Sequence, residues 1–196
     1  MFKYHRHIIN SIVIAIYLAV SGFSEIVQQE VICLTAEEQK LYDLINQYRT
    51  LNGLGKIPLS VKLTEVAKAH SLDLDKNFDV GQGNICNMHS WSGKVKGFPC
   101  CYTDDHKDPQ CMWDKPRQIN GYPGNGYEIA YFHSSKATAE ESLESWQTSD
   151  AHNPVILNTG QWEIAEWKAI GVGIHGSYAT VWFGMESDAS LVMKCK

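Results

Sequence analysis

The side chains of this chain whose types could do chemistry are His70, His89, His133, His152 and His175, together with Glu128. Imidazole is the commonest metal ligand and the side chain that exchanges protons near neutral pH. A carboxylate beside it completes either a divalent metal site or an acid–base pair. Other chemistries find no support. There is no G-x-S-x-G elbow for a serine nucleophile and no H-E-x-x-H zinc helix. "GNGYEIAY" is rich in glycine but lacks the Gly-Lys-Ser/Thr ending of a phosphate loop. No cysteine stands in a thiol-protease context, and all six look committed to bridges.

Three helices and a hairpin must position these groups. Thr35-x-x-Glu38 is a capping box, and Leu41, Leu44, Ile45, Tyr48 and Leu51 follow at helical spacing up to a stop at Gly53. Ser60 caps a second helix whose apolar stripe is Leu63, Val66, Ala67, His70 and Leu74, so His70 reads as a core histidine. Residues 79–127 lack periodicity and hold four cysteines. A belt this long inside a domain is functional or cross-linked. A third helix is expected from about Lys136, with Thr138-x-x-Glu141 as its box and Leu143 and Trp146 facing inward. It should end near Ser149, before the His152-Asn153-Pro154 break. "WKAIGVGI" and "YATVWFGM" read as a β-hairpin turning at His175-Gly176-Ser177. Its first strand alternates Ala169, Gly171 and Gly173 with bulky residues, and that small face invites a closely packed helix. The whole is α+β.

Composition bounds the setting. The chain has 196 residues, 44% of them hydrophobic and 20% charged, enough for one domain with a real core. "MFKYHRH" followed by the 13-residue run "IINSIVIAIYLAV" and the small residues of "SGFS" reads as a signal peptide over residues 1–24, too short to span a bilayer. Residues 25–196 then form a single exported domain with no stable membrane span. Removing residues 1–24 takes Lys3 and Arg6 and no acid. Basic residues fall from 17 to 15 against 22 acids, and the formal charge moves from −5 to −7. Such a balance argues against nucleic acid as a partner. Cys33, Cys86, Cys100, Cys101, Cys111 and Cys195 imply three disulfides in an exported chain. Cys33 with Cys195, bracketing the domain, is the favoured pair. Neighbours Cys100 and Cys101 should reach out to Cys86 and Cys111 rather than to each other. A zinc site made of these cysteines would need C-x-x-C spacing, which is missing.

Several stretches together resemble the CAP superfamily: cysteine-rich secretory proteins, antigen 5 and pathogenesis-related proteins, which share the SCP domain. They are "LINQYRTLNGLGKIPLSVKLTEVAKAHSLDL" with Asn46 and Arg49, "MHSW", "GYEIAY", "SWQTSDAHNPVILN", and the closing "AIGVGI" and "YATVWFG". They cover roughly residues 36–188 in the family's order, and the fourth is similar to a bacterial-type Trp-x-x-Ser-x-x-His-x-x-x-Ile-Leu segment. The resemblance implies a three-layer α-β-α sandwich with a central antiparallel sheet, a long disulfide-linked belt and a cleft lined by two histidines and two acids. His89 matches the first histidine, Glu128 the first acid and His152 the second histidine. Ile129 replaces an expected Asn. The second acid has no clear match; Ser149 holds that turn, with Glu144 and Asp150 nearby. Between His152 and Gly171 the chain is longer than usual, and the extra "TGQWEIAEW" brings Trp162 and Trp167 as packing residues.

By this resemblance His89 and His152 would bind zinc or another divalent metal, Glu128 being a possible third ligand. The first expectation is a secreted, extracellular binding module holding a metal and a lipid, sterol or protein partner, with no established catalysis. One alternative is a metal-assisted hydrolase, protease- or esterase-like, using His89, Glu128 and His152. Another is a structural, defence or venom-type protein acting through its surface loops.

Overall fold

The computed structural model describes residues 32–79, 83, 85–188 and 192–194. The expected signal peptide, residues 1–24, and Cys195 lie outside the described residues. The chain opens with strand β1 (Ile32–Leu34) and helix α1 (Ala36–Leu51), capped as the sequence implies. The Thr35 hydroxyl accepts from the Glu38 amide at 3.2 Å, and the Thr35 amide donates to the Glu38 carboxylate at 2.8 Å. Helix α2 (Val61–Asn77) starts at Ser60, whose hydroxyl accepts from the Leu63 amide. Two short helices interrupt the expected irregular belt, α3 (Gln110–Trp113) and α4 (Lys115–Asn120). Strand β2 (Tyr127–Phe132) was not foreseen. After it come α5 (Ala139–Gln147, capped by Thr138), α6 (Asn153–Leu157), a 3₁₀ turn (Gly160–Trp162) and the hairpin strands β3 (Ala169–His175) and β4 (Tyr178–Gly184).

The sheet is antiparallel with order β2-β4-β3, so β2 closes on the far strand of the hairpin. A second, parallel pair joins β1 to β5 (Val192–Lys194). Side chains alternate across β4. Val181 and Phe183 enter one core with Leu41 and Ile45 of α1, Leu143 and Trp146 of α5, and Ile156 of α6. Trp182 enters the other core with Leu63, Val66 and Ala67 of α2 and with Trp91. The sheet is thus the middle layer of an α-β-α sandwich, as the resemblance implied.

The small face of β3 does what its alternation suggested. A Cβ at Gly171 would lie 2.0 Å from the Leu63 carbonyl carbon, and one at Gly173 2.4 Å from that of Ala67. Only glycine lets α2 lie this close to the sheet, and α2 is the helix that carries His70 inward. Cys86 bonds Cys101 and Cys100 bonds Cys111, so the neighbouring cysteines do reach outward as expected. Cys33 is disulfide-bonded as well. Its favoured partner, Cys195, is outside the described residues.

Candidate functional site

Glu128 is the hub. It lies near the start of β2, buried, and each of its oxygens meets an imidazole: Oε1 meets Nδ1 of His70, and Oε2 accepts from Nδ1 of His89 at 2.9 Å. Burial alone would raise this carboxyl, but His70 and His89 together outweigh burial and hold it below the usual range. It is therefore an ionised acceptor at neutral pH. The hydrogen it takes from His89 sits on Nδ1 and leaves the Nε2 lone pair of that ring free.

His70 comes off α2 wholly buried. Its Nε2 donates to the Ser90 carbonyl at 2.9 Å and its ring stacks on Trp91 at 4.2 Å, nearly parallel at 7°. The apolar stripe placed it in the core. The stripe could not show that its partner there would be the site carboxylate.

His89 stands on irregular backbone, held by ties across the belt. Its amide donates to the Asn87 side chain at 3.0 Å, Trp91 and Cys100 exchange two backbone hydrogen bonds, and both described disulfides clamp the segment. Lys115 adds a buried ammonium donating to the Phe98 carbonyl and standing 5.9 Å over the Trp91 ring. Burial lowers it to about 8.

His152 stands on regular structure. It is the residue before α6, where Pro154 suits the first helical turn. Its Nδ1 shares a 2.9 Å hydrogen bond with Ser149 Oγ, which also accepts from the His152 amide at 3.3 Å. Helix α1 holds α6 from behind. Tyr48 donates to the Asn153 side chain at 3.0 Å. The buried Arg49 donates to the Ile156 carbonyl and to Asn158 Oδ1 at the helix end. Asn158 takes the left-handed conformation that ends α6 (φ 52°). Burial first, and then nearby His89, push the His152 imidazole down to about 4 against the opposing pull of Glu128. It is neutral near pH 7.

His89, Glu128 and His152 line one cavity of about 710 Å³. Ser149, at the turn where a second acid was expected, is not part of the cavity wall but hydrogen-bonds His152. Asp150 lines the cavity from an exposed position and Glu144 is not part of its wall. Among the described residues no carboxylate hydrogen-bonds His152, and no three His, Cys, Asp or Glu side chains converge so as to hold one ion. His133 is engaged in a local turn with Ser135, and His175 stands 3.6 Å from Asp75. Neither lines the cavity. His106 does line it, with Nδ1 3.0 Å from the Tyr102 hydroxyl. It sits at φ 54° in the belt, with no local pattern to announce it. The inserted tryptophans divide. Trp167 is buried and donates to the Val155 carbonyl at 2.8 Å, a packing residue as expected, whereas Trp162 both packs against the core and lines the cavity.

No family model matches the chain, and no curated protein matches it either. Solved structures do. An extracellular protein containing an SCP domain from Bacillus anthracis superposes with a TM-score of 0.54 at 18% identity, covering 76% of this chain and 40% of that one. A cysteine-rich secretory protein from Staphylococcus aureus superposes with a TM-score of 0.50 at 14% identity, covering 76% and 39%. The chain thus spans about 40% of the length of the first of them. At these identities the likeness is one of fold. No helix among the described residues is long and apolar enough to cross a membrane. Two cores about an antiparallel sheet, two histidines reaching one cavity and these superpositions together give the chain the SCP-domain fold, the fold of the CAP superfamily it resembles in sequence.

Proposed function

We propose that this protein is an exported, extracellular CAP-type binding module whose cleft holds a divalent metal at His89 and His152 and presents it to a lipid, sterol or protein partner. The observation that carries this is the paired disposition of the two rings. Each uses Nδ1 on an oxygen partner, Glu128 or Ser149, and each lines the same cavity with its remaining nitrogen bonded to none of the described residues. An imidazole whose second nitrogen is anchored to an oxygen is the usual form of a histidine ligand. The donor set therefore fits a borderline-soft ion such as zinc through the two Nε2 atoms. Glu128 fits as the group that orients His89, since both of its oxygens already meet imidazole. Two protein ligands leave positions open, and a bound ion would there polarise an oxygen of whatever enters the cleft.

Binding rather than hydrolysis is favoured, because Glu128, the acid that the hydrolase alternative relies on, already has both oxygens on imidazoles. The test is calorimetric titration of zinc into the purified protein and into His89→Ala and His152→Ala. One ion per chain is expected, with affinity falling at least ~10-fold in each variant. A wild type that takes up no zinc, or variants that bind as it does, would refute the site.

A further inference from the structure

The insertion after α6 changes what the cavity can hold. Asn158 fastens the inserted loop by donating to the Trp162 and Ala165 carbonyls at 3.4 and 2.8 Å, and the 3₁₀ turn then delivers the Trp162 indole to the cavity. There it meets Tyr127 at 5.2 Å between ring centroids with the planes 76° apart. Trp113, from α3, meets the same Tyr127 at 5.4 Å and 57°. All three rings line the cavity, and both indoles are half-buried. Tyr127 is buried and also meets Trp167 at 5.4 Å, so it backs the wall, and the half-buried Trp113 and Trp162 are the rings that offer surface to the cavity.

Asp150 is the exposed carboxylate of the lining, and Glu128 is already paired with His70 and His89. Three histidines, His89, His106 and His152, also face the cavity, and none of the described residues lining it is Lys or Arg. Aromatic rings with a carboxylate nearby and no lysine or arginine beside them are the elements that recognise a charged ammonium group too large and too weakly hydrated to prefer water. An anionic ligand would meet the like charge of Asp150, and a purely apolar one would leave Asp150 without a role.

We propose that the cavity binds a quaternary ammonium group on the Trp113–Tyr127–Trp162 wall, with Asp150 as its counter-charge, which rests on reading the cavity as a ligand cleft. Trp162 and Asp150 are then the specificity residues, one supplied by the insertion and the other by the turn between α5 and α6. A trimethylammonium group could arrive as a free solute or as a phosphatidylcholine headgroup, and the two sources share this chemistry.

The test is titration of choline chloride into the purified protein with excess chelator, followed by tryptophan fluorescence and by amide NMR shifts. Wild type should saturate. Trp162→Ala should weaken binding roughly tenfold or more and Asp150→Asn several-fold, the gain expected of a partly desolvated cation–π contact and its counter-ion. Dimethylbutanol, the neutral carbon isostere of choline, should bind at least ~10-fold more weakly. Phosphatidylcholine vesicles form a second arm. Trp162-dependent capture of vesicles together with choline binding points to a headgroup, and choline binding alone to a free solute. No saturation, equal affinity for the neutral isostere, or affinity unchanged in Trp162→Ala would overturn the proposal. Should Trp162→Ala fail to fold, the exposed Asp150→Asn decides, and an unchanged choline affinity there overturns it. Because the titration is metal-free, loss of choline binding with zinc uptake intact sinks only this inference, and the reverse result sinks only the metal site.

Discussion

His89 and His152 reach one cavity from supports built in different ways. His89 sits in a belt with little regular structure, where two disulfides and a few bridging backbone bonds, Trp91 with Cys100 and Asn87 to Tyr102, fix the chain. His152 sits at the start of a five-residue helix, fixed by hydrogen bonds to Ser149 and, through α6, by Tyr48 and Arg49 of α1. Irregular backbone loses much conformational freedom on folding and gains few hydrogen bonds in return, so covalent ties that restrict the unfolded chain suit it best. A helix end already offers a fixed direction and needs only its cap and its anchors. The first arm should fail under reducing conditions and the second under polar truncation.

Glu128 belongs to both arms electrostatically and touches one of them directly. Glu128→Ala is expected to have the largest effect. It strands the buried His70 and the half-buried His89 and should cost about 3–5 kcal/mol, measurable by denaturant unfolding. Glu128→Gln should cost less, since an amide can still bond both rings. Next comes the double change Cys86→Ser/Cys101→Ser, which opens a loop with a sequence separation of 15 and should cost about 3 kcal/mol. Its NMR signature should be confined to the belt and His89, with His152 resonances in place. Equal disturbance of both histidines would mean that the arms are not independently built. Ser149→Ala is the mirror experiment, expected to cost about 1 kcal/mol. It should loosen His152 and weaken zinc uptake while leaving the belt signals untouched.

The pH dependence separates the arms without mutation. The folded value of His152, about 4, lies below its ordinary 6.5. Between those pH values the unfolded chain binds more protons, so stability should rise with pH across that window and level off above it. Glu128 is also depressed in the fold, so its contribution is present at neutral pH and fades as acid protonates it. Both effects make acid destabilising. His152→Gln should flatten the limb between about 4 and 6.5, and an unchanged limb would show that burial of this ring does not govern it.

What could be seen in sequence follows the same division. The caps Thr35, Ser60 and Thr138 were legible because a cap is a local arrangement, as were the small face of β3 and the outward pairing of Cys100 and Cys101. Strand β2 was not legible. "YEIAYF" is buried over its first four residues on both faces and so lacks alternation, and its partner β4 is some fifty residues away along the chain. Helices α3 and α4 are too short to show a period. Of the site, His89, Glu128 and His152 came from family resemblance rather than spacing, and Ser149 was seen at its turn. His106 and Trp162 were missed as cavity residues because bridged and left-handed backbone brings them there, and neither writes a periodic signal.

The central claim is that the two arms converge on one ion. The measurement that tests it most directly is a crystal structure of the zinc-soaked protein, with anomalous scattering to locate the metal. The expected result is one zinc in the cavity with His89 Nε2 and His152 Nε2 each ~2.0–2.1 Å from it. Imidazole nitrogens held more than about 4 Å apart with zinc on one ring only, or an ion bound elsewhere, would contradict it, because at that bond length one ion could not reach both.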